Sequence, residues 1–441
     1  MVLAKGRTHL IGIKGTGMSA LASLLYDEGA EVSGSDIEQP VFTQRALEAR
    51  GIPIRPFDPA NVEGAAEVVH SASFGQGHPE VAEAHRLGIP TYTYPQYLGR
   101  LTAERTAICV CGTHGKTTTT GMLVRIWEAS GRRPSFIIGD GTGSGGRDEF
   151  ILEACEYRRH FLEYSPRDTV LLNIEFDHPD YFKDLKDTQD AFASFARRTR
   201  ELVVAFGDDE KVRDALKELG AAPRVVYYGF GPENEYRAED VRSGPEGQRY
   251  TLMQRGTPAG EIILRVPGLH NVLNSLGAAA LALERGIPFD RVREALASFR
   301  GTRRRFEVDY VGPGVLIDDY AHHPTEIAAT IQSARERFPG RHLIAAFQPH
   351  TYTRTQAFLA DFARSLQAAD SVWLLEIFGS ARESAGAVSS GDLVEAVGSK
   401  ARLVDFRELV EDGRKALRSG GVLLLMGAGD IYKVKEELKE A

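Results

Sequence analysis

Short apolar runs alternate along the chain with longer stretches whose apolar residues recur every three or four positions. The first run, His9 to Ile13, precedes helical spacing from Met18 to Asp27, and a second run follows at Glu31 to Gly34. Glu67 to His70 reads as another strand, with a helix through Val81 to Leu87. The rhythm restarts with Ala107 to Cys111, a Gly/Thr loop and a helix ending at Gly131. Phe150 to Cys155, Val170 to Ile174 and Leu202 to Phe206 continue it as strands. Arg224 to Val266 reads as β-rich, and Asn271 to Glu284 as an Ala-rich helix. Further strands are expected at Val315 to Asp318, His342 to Ala346, Ser371 to Leu375 and Val422 to Met426, with an amphipathic helix at the end. Strand-then-helix repetition predicts an α/β fold with parallel sheets.

At 441 residues the chain is too long for one ordinary core, and about 150 residues per domain gives roughly three. The expected division is a Rossmann-like domain over 1–102, a P-loop ATPase-type α/β domain over 103–303, and a second Rossmann-like domain over 304–441. A net charge of −8 argues against a nucleic-acid binder. Three cysteines in neither zinc nor redox spacing leave no disulfide framework. No apolar run reaches the 18 or so residues of a membrane span, and Met1 to Lys5 is too short to hold a signal peptide. A cytoplasmic protein without membrane insertion is expected.

Two glycine loops carry chemistry. Gly15-x-Gly17-x-x-Ala20 lies between the first strand and its helix, where backbone N–H groups can meet a diphosphate. Asp36 ends the second strand, where an acid meets a ribose hydroxyl. The second loop, Gly112-Thr113-His114-Gly115-Lys116-Thr117, also follows a strand and opens a helix. Its backbone would cradle phosphates, Lys116 would reach the β and γ groups, and Thr117 would ligate Mg²⁺. Val110 stands where the general pattern has its first glycine. A dehydrogenase has no use for a triphosphate loop; an enzyme that joins a nucleotide-linked substrate to something else with ATP needs both.

Glu153, Glu156 and the Asp177-His178 pair stand after strands as candidate Mg²⁺ partners, although histidine is an unusual ligand for so hard a cation. On chemistry alone His178 reads as a polar loop residue, Arg303-Arg304-Arg305 as a solvated face, and His322-His323 as a cap before Pro324, without the spacing of a helical zinc pair. Gly139 to Gly146 is either a flexible loop or a close approach to a ligand.

Taken together, GIKGTGMSALA, GSD at 34–36, GTHGKTTTT at 112–120, NIEFDH at 173–178, PGLHNVLN at 267–274, RRF at 304–306, DDYAHHPTE at 318–326, FQPH at 347–350 and MGAGD at 426–430 resemble the Mur ligase family over essentially the whole chain. The resemblance implies ATP-dependent amide formation between the lactyl carboxylate of UDP-N-acetylmuramate and L-alanine, through an acyl phosphate, in peptidoglycan precursor synthesis. It implies ATP and Mg²⁺ as cofactors, three domains that close on their substrates, and a monomer or weak homodimer. Lys116, Glu153 and His178 are the implied catalytic residues, and Thr117, Glu153 and His178 the metal ligands, which replaces the plainer reading of His178. ATP would be held by Gly112, Thr113, His114, Gly115, Lys116, Thr117, Thr118, Asn271, Asn274, Arg305 and Asp319. The UDP-sugar would be held by Gly15, Thr16, Gly17, Met18, Ser35, Asp36 and Ser71. Tyr320, His322 and Arg354 would face the amino acid. Many relatives have arginine where this chain has Thr351, so Arg158 or Arg159, in the unusual run after Glu153, is expected to supply the missing charge. A sister activity that attaches a whole tripeptide, a nicotinamide-dependent oxidoreductase and a non-catalytic nucleotide sensor are the rival readings.

Overall fold

Residues 6–220, 222–244, 246–379 and 386–440 are described in a computed structural model of the chain. They form three sheets flanked by helices. In the first, five parallel strands run in the order Ile54–Arg55, Glu31–Ser35, Arg7–Ile11, Glu67–His70, Thr91–Thr93. The central sheet has ten strands. Ala107–Cys111 lies between Phe150–Glu153 and Asp168–Leu171, all parallel, and Tyr236–Gly244, Gly247–Gln254 and Thr257–Leu264 extend one edge as an antiparallel meander. The third sheet places Gly314–Asp319 beside Val422–Met426 and antiparallel to Glu307–Val311. The α/β class expected from the alternating pattern is what folds.

Ala107–Cys111 explains its own position. All five residues are buried, and a parallel strand covered on both faces needs a continuous apolar run rather than an alternating one. Cys109 and Cys111 point into a cluster shared with Leu10, Leu21, Leu24 and Leu25 of the first sheet and its helix. Ile108 and Val110 point the other way, toward Trp127, Leu276 and Leu281. The two faces of one strand thus join the first sheet's layer to the central helices. The third sheet keeps its own clusters, drawn from Val311 onward.

The helix expected from Asn271 starts two residues earlier, at exposed Leu269. Two others begin before the first apolar residue of their periodicity, at Thr16 and Pro79, where the sequence pattern predicts Met18 and Val81. Polar, glycine or proline residues fill a first turn without joining the apolar stripe. Gly139 to Gly146 divides between two surroundings: Gly139 and Asp140 line the large cavity described below, and the rest packs on protein. Gly143–Ser144 forms a hairpin with Ser135–Ile137, and this hairpin packs on the helix Thr16–Asp27. A Cβ at Gly143 would stand 2.1 Å from the Ala20 carbonyl oxygen, so the close approach is to protein.

Candidate active site

The helix Lys116–Ala129 starts at Gly115, whose φ of +85° lies in the left-handed region. A Cβ there would sit 2.4 Å from Asn274 Oδ1, so any side chain would push the phosphate loop off the helix Leu269–Glu284. That contact fixes the loop against the two asparagines. Asn271 and Asn274 are buried, joined at 3.1 Å, and line a cavity of about 930 Å³ with Thr118, His270, Arg305 and Asp319. Burial raises Asp319 to about 6. Asp319 accepts the N–H groups of Phe306 and Ala321, both at 2.8 Å.

A second cavity, about 1570 Å³, shares His114, Gly115, Arg305 and Glu326 with the first. Its wall takes Thr16 and Phe42 from the first sheet's loops. Lys116, Thr117, Glu153, Glu156 and His178 come from the central segment, and Tyr320, His322 and Phe378 from the third. Three separate sheets therefore end at one chamber.

Within it the cations are held by carboxylates. Lys116 Nζ donates to the carbonyls of Gly112 (2.5 Å) and Thr113 (3.0 Å) and to Glu156 Oε2 (2.9 Å). Burial opposes the charge on Lys116, but Glu156 outweighs it and the ammonium is kept. Arg305 Nη1 lies 3.7 Å from Glu326 Oε1. Glu153 accepts the Gly139 N–H at 2.5 Å, and burial pushes its carboxyl upward, partly offset by that amide and by Lys116. A buried carboxylate with the Thr117 hydroxyl beside it is an all-oxygen donor pair suited to a hard divalent cation. His178 has a left-handed φ of +55°. Burial pushes its ring below the usual range, leaving it neutral, and Nδ1 accepts from Arg354 Nη2 at 3.4 Å.

Two buried polar clusters join the central and third segments, beside the Phe176–Phe358 ring pair. Arg354, only 4% exposed, donates through Nε to Asp177 Oδ1 at 3.0 Å and through Nη2 at 2.9 Å. Burial alone would raise Asp177, but the Arg354 guanidinium holds it well below the carboxylate range. His114 stands between two acids, with Nε2 3.1 Å from Glu175 Oε2 and Nδ1 3.2 Å from Glu326 Oε1. Burial works against its charge, yet the two hydrogen bonds prevail and raise it to about 9. Its backbone N–H donates to Asn173 Oδ1 at 2.8 Å.

The expected diphosphate residues gather at the ends of the first sheet's strands. Asp36 accepts the backbone N–H of Lys14 (2.7 Å) and of Ile37 (2.8 Å). Ser35 gives its hydroxyl to buried Glu80, Ser71 is tied through its N–H to Ile11, and Met18 is in the core. Gly17 faces Tyr94, whose ring would lie 2.7 Å from a Cβ there. Of this set Thr16 lines the large cavity.

Neither Arg158 nor Arg159 lines that cavity. Arg159 donates to Asp187 Oδ1 at 2.5 Å and lies over the Phe182 ring, while Arg158 lies over Tyr157. Both have left-handed backbones, φ 52° and 57°. Both guanidiniums expected to supply the charge missing at Thr351 are thus engaged outside the chamber. Conversely, Glu326, Glu175 and Asn173 sit inside motifs singled out in the sequence without a role of their own. Glu326 had a legible signal, since three residues after the cap His323 it completes a capping box.

Comparisons with known proteins agree with this arrangement. Residues 7–106 match the profile described as Mur ligase family, catalytic domain, residues 140–282 the Mur ligase middle domain, and residues 304–429 the Mur ligase, glutamate ligase domain. A UDP-N-acetylmuramate–L-alanine ligase of Pediococcus pentosaceus is 44% identical over 435 residues, 98% of each chain. One from Limosilactobacillus reuteri is 42% identical over the same share. The crystal structure of the UDP-N-acetylmuramate–alanine ligase of Thermotoga maritima superposes with a TM-score of 0.84 at 30% identity, covering 99% of this chain and 98% of that one. Matched in all three segments, and carrying its phosphate loop where three sheets converge, the chain belongs to the Mur ligase family of ATP-dependent, amide-forming enzymes of peptidoglycan precursor synthesis.

Proposed function

We propose that this chain joins the lactyl carboxylate of UDP-N-acetylmuramate to the amine of L-alanine, converting ATP to ADP and phosphate. The observation that carries the reading is the single chamber walled by Thr16, by Lys116 with Glu153, and by His322. One substrate can enter from each segment and meet the others there. The boundaries we assign are 1–102 for the UDP-sugar domain, 103–303 for the ATP domain and 304–441 for the amino-acid domain. Asn271, Asn274 and Asp319 line the cavity that suits the nucleoside. Because the reaction draws on ATP and on a soluble nucleotide sugar, we place it in the cytoplasm; among the described residues no helix is long and apolar enough to cross a membrane.

A carboxylate does not condense with an amine in water to a useful extent, so it is first activated. A lactyl oxygen attacks the γ-phosphorus, the bond to the β-bridging oxygen breaks, and ADP leaves. Lys116 exchanges Glu156 for the transferring phosphoryl oxygens, and Arg305 exchanges Glu326, so both cations arrive already oriented. Thr117 and Glu153 would hold Mg²⁺, with His178 added if its ring leaves Arg354, and that ion supplies charge neutralisation at the phosphates. The alanine nitrogen then attacks the acyl carbon and phosphate departs. The Arg354–Asp177 and His114–Glu326 contacts keep the third segment closed over the site and exclude water while the acyl phosphate exists.

The deciding experiment is ADP release with UDP-N-acetylmuramate across single amino acids and L-Ala-γ-D-Glu-diaminopimelate. L-alanine should give the highest kcat/KM; preference for the tripeptide would move the chain to the sister activity. Gly17→Val should raise the KM for the sugar nucleotide by about tenfold or more, since the new side chain meets Tyr94, while the KM for ATP holds. A change confined to ATP would mean that the two loops have exchanged roles. Arg159→Ala should leave the alanine KM within about twofold and cost at most ~1 kcal/mol of stability, as for other part-exposed ion pairs. A large rise in that KM would return Arg159 to the amino-acid site.

A further inference from the structure

Beside the phosphate loop, two histidines and a carboxylate converge outside the Thr117–Glu153 pair. His114 Nε2 is 3.1 Å from Glu175 Oε2, and His323 Nδ1 is 3.7 Å from the same oxygen. The two imidazole rings are 4.7 Å apart between centroids. Ligand atoms of all three lie within 4.8 Å of one another, the one such metal-compatible group among the described residues. We propose that His114, Glu175 and His323 form a transition-metal site, of a type that takes Zn²⁺ or Co²⁺, closed by ligands from both the central and the third segment.

The geometry is near that of a tetrahedral ion. Bonds of ~2.0–2.1 Å to nitrogen and oxygen put neighbouring ligand atoms about 3.4 Å apart. The two measured edges fall on either side of that figure, and the third needs only side-chain rotation. Outer partners are in place as well. Glu326 Oε1 receives the other ring nitrogen of His114, the carboxylate–histidine arrangement that orients a metal-bound imidazole. Thr325 Oγ1 donates to Glu175 Oε2 at 2.8 Å and fixes that carboxylate. His323 is 5% exposed, and its Nε2 has no hydrogen-bond partner, so the ring is held by packing against Phe358 and by the Thr325 amide. The hydrogen bond from the Thr325 N–H that His323 Nδ1 would surrender is long, 3.3 Å.

Two imidazoles and one carboxylate select a borderline ion over Mg²⁺, which prefers oxygen and its own water. A groove lined by Glu175, Phe176, Lys211, His323 and Phe358 leads in from outside, away from the substrate chamber, and leaves room for water as fourth ligand. Because Glu175 and His114 belong to the central segment and His323 to the third, a bound ion pins the two together.

The test is Co²⁺ titration of the full chain with Mg²⁺ in large excess, so that the oxygen-rich phosphate site is already filled. A tetrahedral nitrogen-ligated Co²⁺ gives intense visible absorption, read without turnover. The expected result is a one-to-one band, displaced by Zn²⁺ and weakened at least tenfold in affinity in both His114→Gln and His323→Gln. Because His323 caps a helix, Glu175→Gln serves as a third variant, with far-UV circular dichroism to establish folding. No band in the folded wild type, or an affinity within twofold of wild type in each folded variant, overturns the site.

Discussion

Lys116→Ala is expected to lower kcat by ~10³-fold, about 4 kcal/mol of transition-state stabilisation, while the affinity for UDP-N-acetylmuramate changes less than about twofold. Lys116 stands at the start of its helix with its ammonium committed to Glu156 and two loop carbonyls. Those partners hold it in place before phosphate arrives, so little reorganisation is needed when charge develops on the γ-phosphoryl oxygens. Alanine removes the cation and leaves Glu156, 2% exposed, buried with an uncompensated charge facing the anionic nucleotide. The loop we assign to the sugar nucleotide, Gly15 to Met18, follows a strand of a different sheet. Calorimetry with UDP-N-acetylmuramate and single-turnover ADP release separate the two effects. Equal loss in both would mean that the loops are not divided between two substrates.

Arg354→Ala should be nearly as damaging, by a different route. Arg354 and Asp177 are 5% and 7% exposed at their side chains, and removing one partner of so buried a pair strands the other at a cost of ~3–5 kcal/mol. Here that cost falls mainly on the closed arrangement, since Asp177 belongs to the central segment and Arg354 to the third. The expected result is a fall of ~10²-fold in kcat/KM for alanine, with a larger radius of gyration by small-angle scattering in the presence of ATP and UDP-N-acetylmuramate. Asp177→Asn, combined with Arg354→Ala, should be much less than additive. Full additivity would leave the pair without a shared role, and an unchanged radius would separate the kinetic loss from closure.

Much of this was legible in the residues. The apolar run Ala107–Cys111 could only be a strand covered on both faces, and the Gly-x-Gly and Gly-Lys-Thr loops each stood between a strand and a helix, where phosphate chemistry requires them. Side-chain pairing across segments was not legible. Nothing in the spacing of His114, Glu175 and Glu326 reveals that one imidazole bridges two carboxylates, because the first is 61 residues from one partner and 212 from the other. Arg159 illustrates how sequence adjacency and spatial placement can part. Adjacency to Glu153 in sequence implied adjacency to the substrate, but two left-handed residues in succession turn the chain, and Asp187 takes the guanidinium. The glycine run was legible only in part: Gly139 borders the chamber, whereas Gly143 does not. A bare backbone permits close approach without saying to what, and at Gly143 the neighbour is the helix Thr16–Asp27.

The strand Ala107–Cys111 has one further consequence, for how the chain loses its structure. Its Cys109 face shares a single apolar cluster with Leu10, Leu21 and Leu25, so the first sheet cannot separate from the central one without wetting that cluster. The third sheet has clusters of its own and meets the others largely through charged pairs. Three sheets therefore amount to two cooperative units. In denaturant the residues after about 304 should melt as one transition and the first 300 or so as another. A protease acting on the partly unfolded chain would cut near the junction at Arg303 and leave the two nucleotide loops together on one fragment.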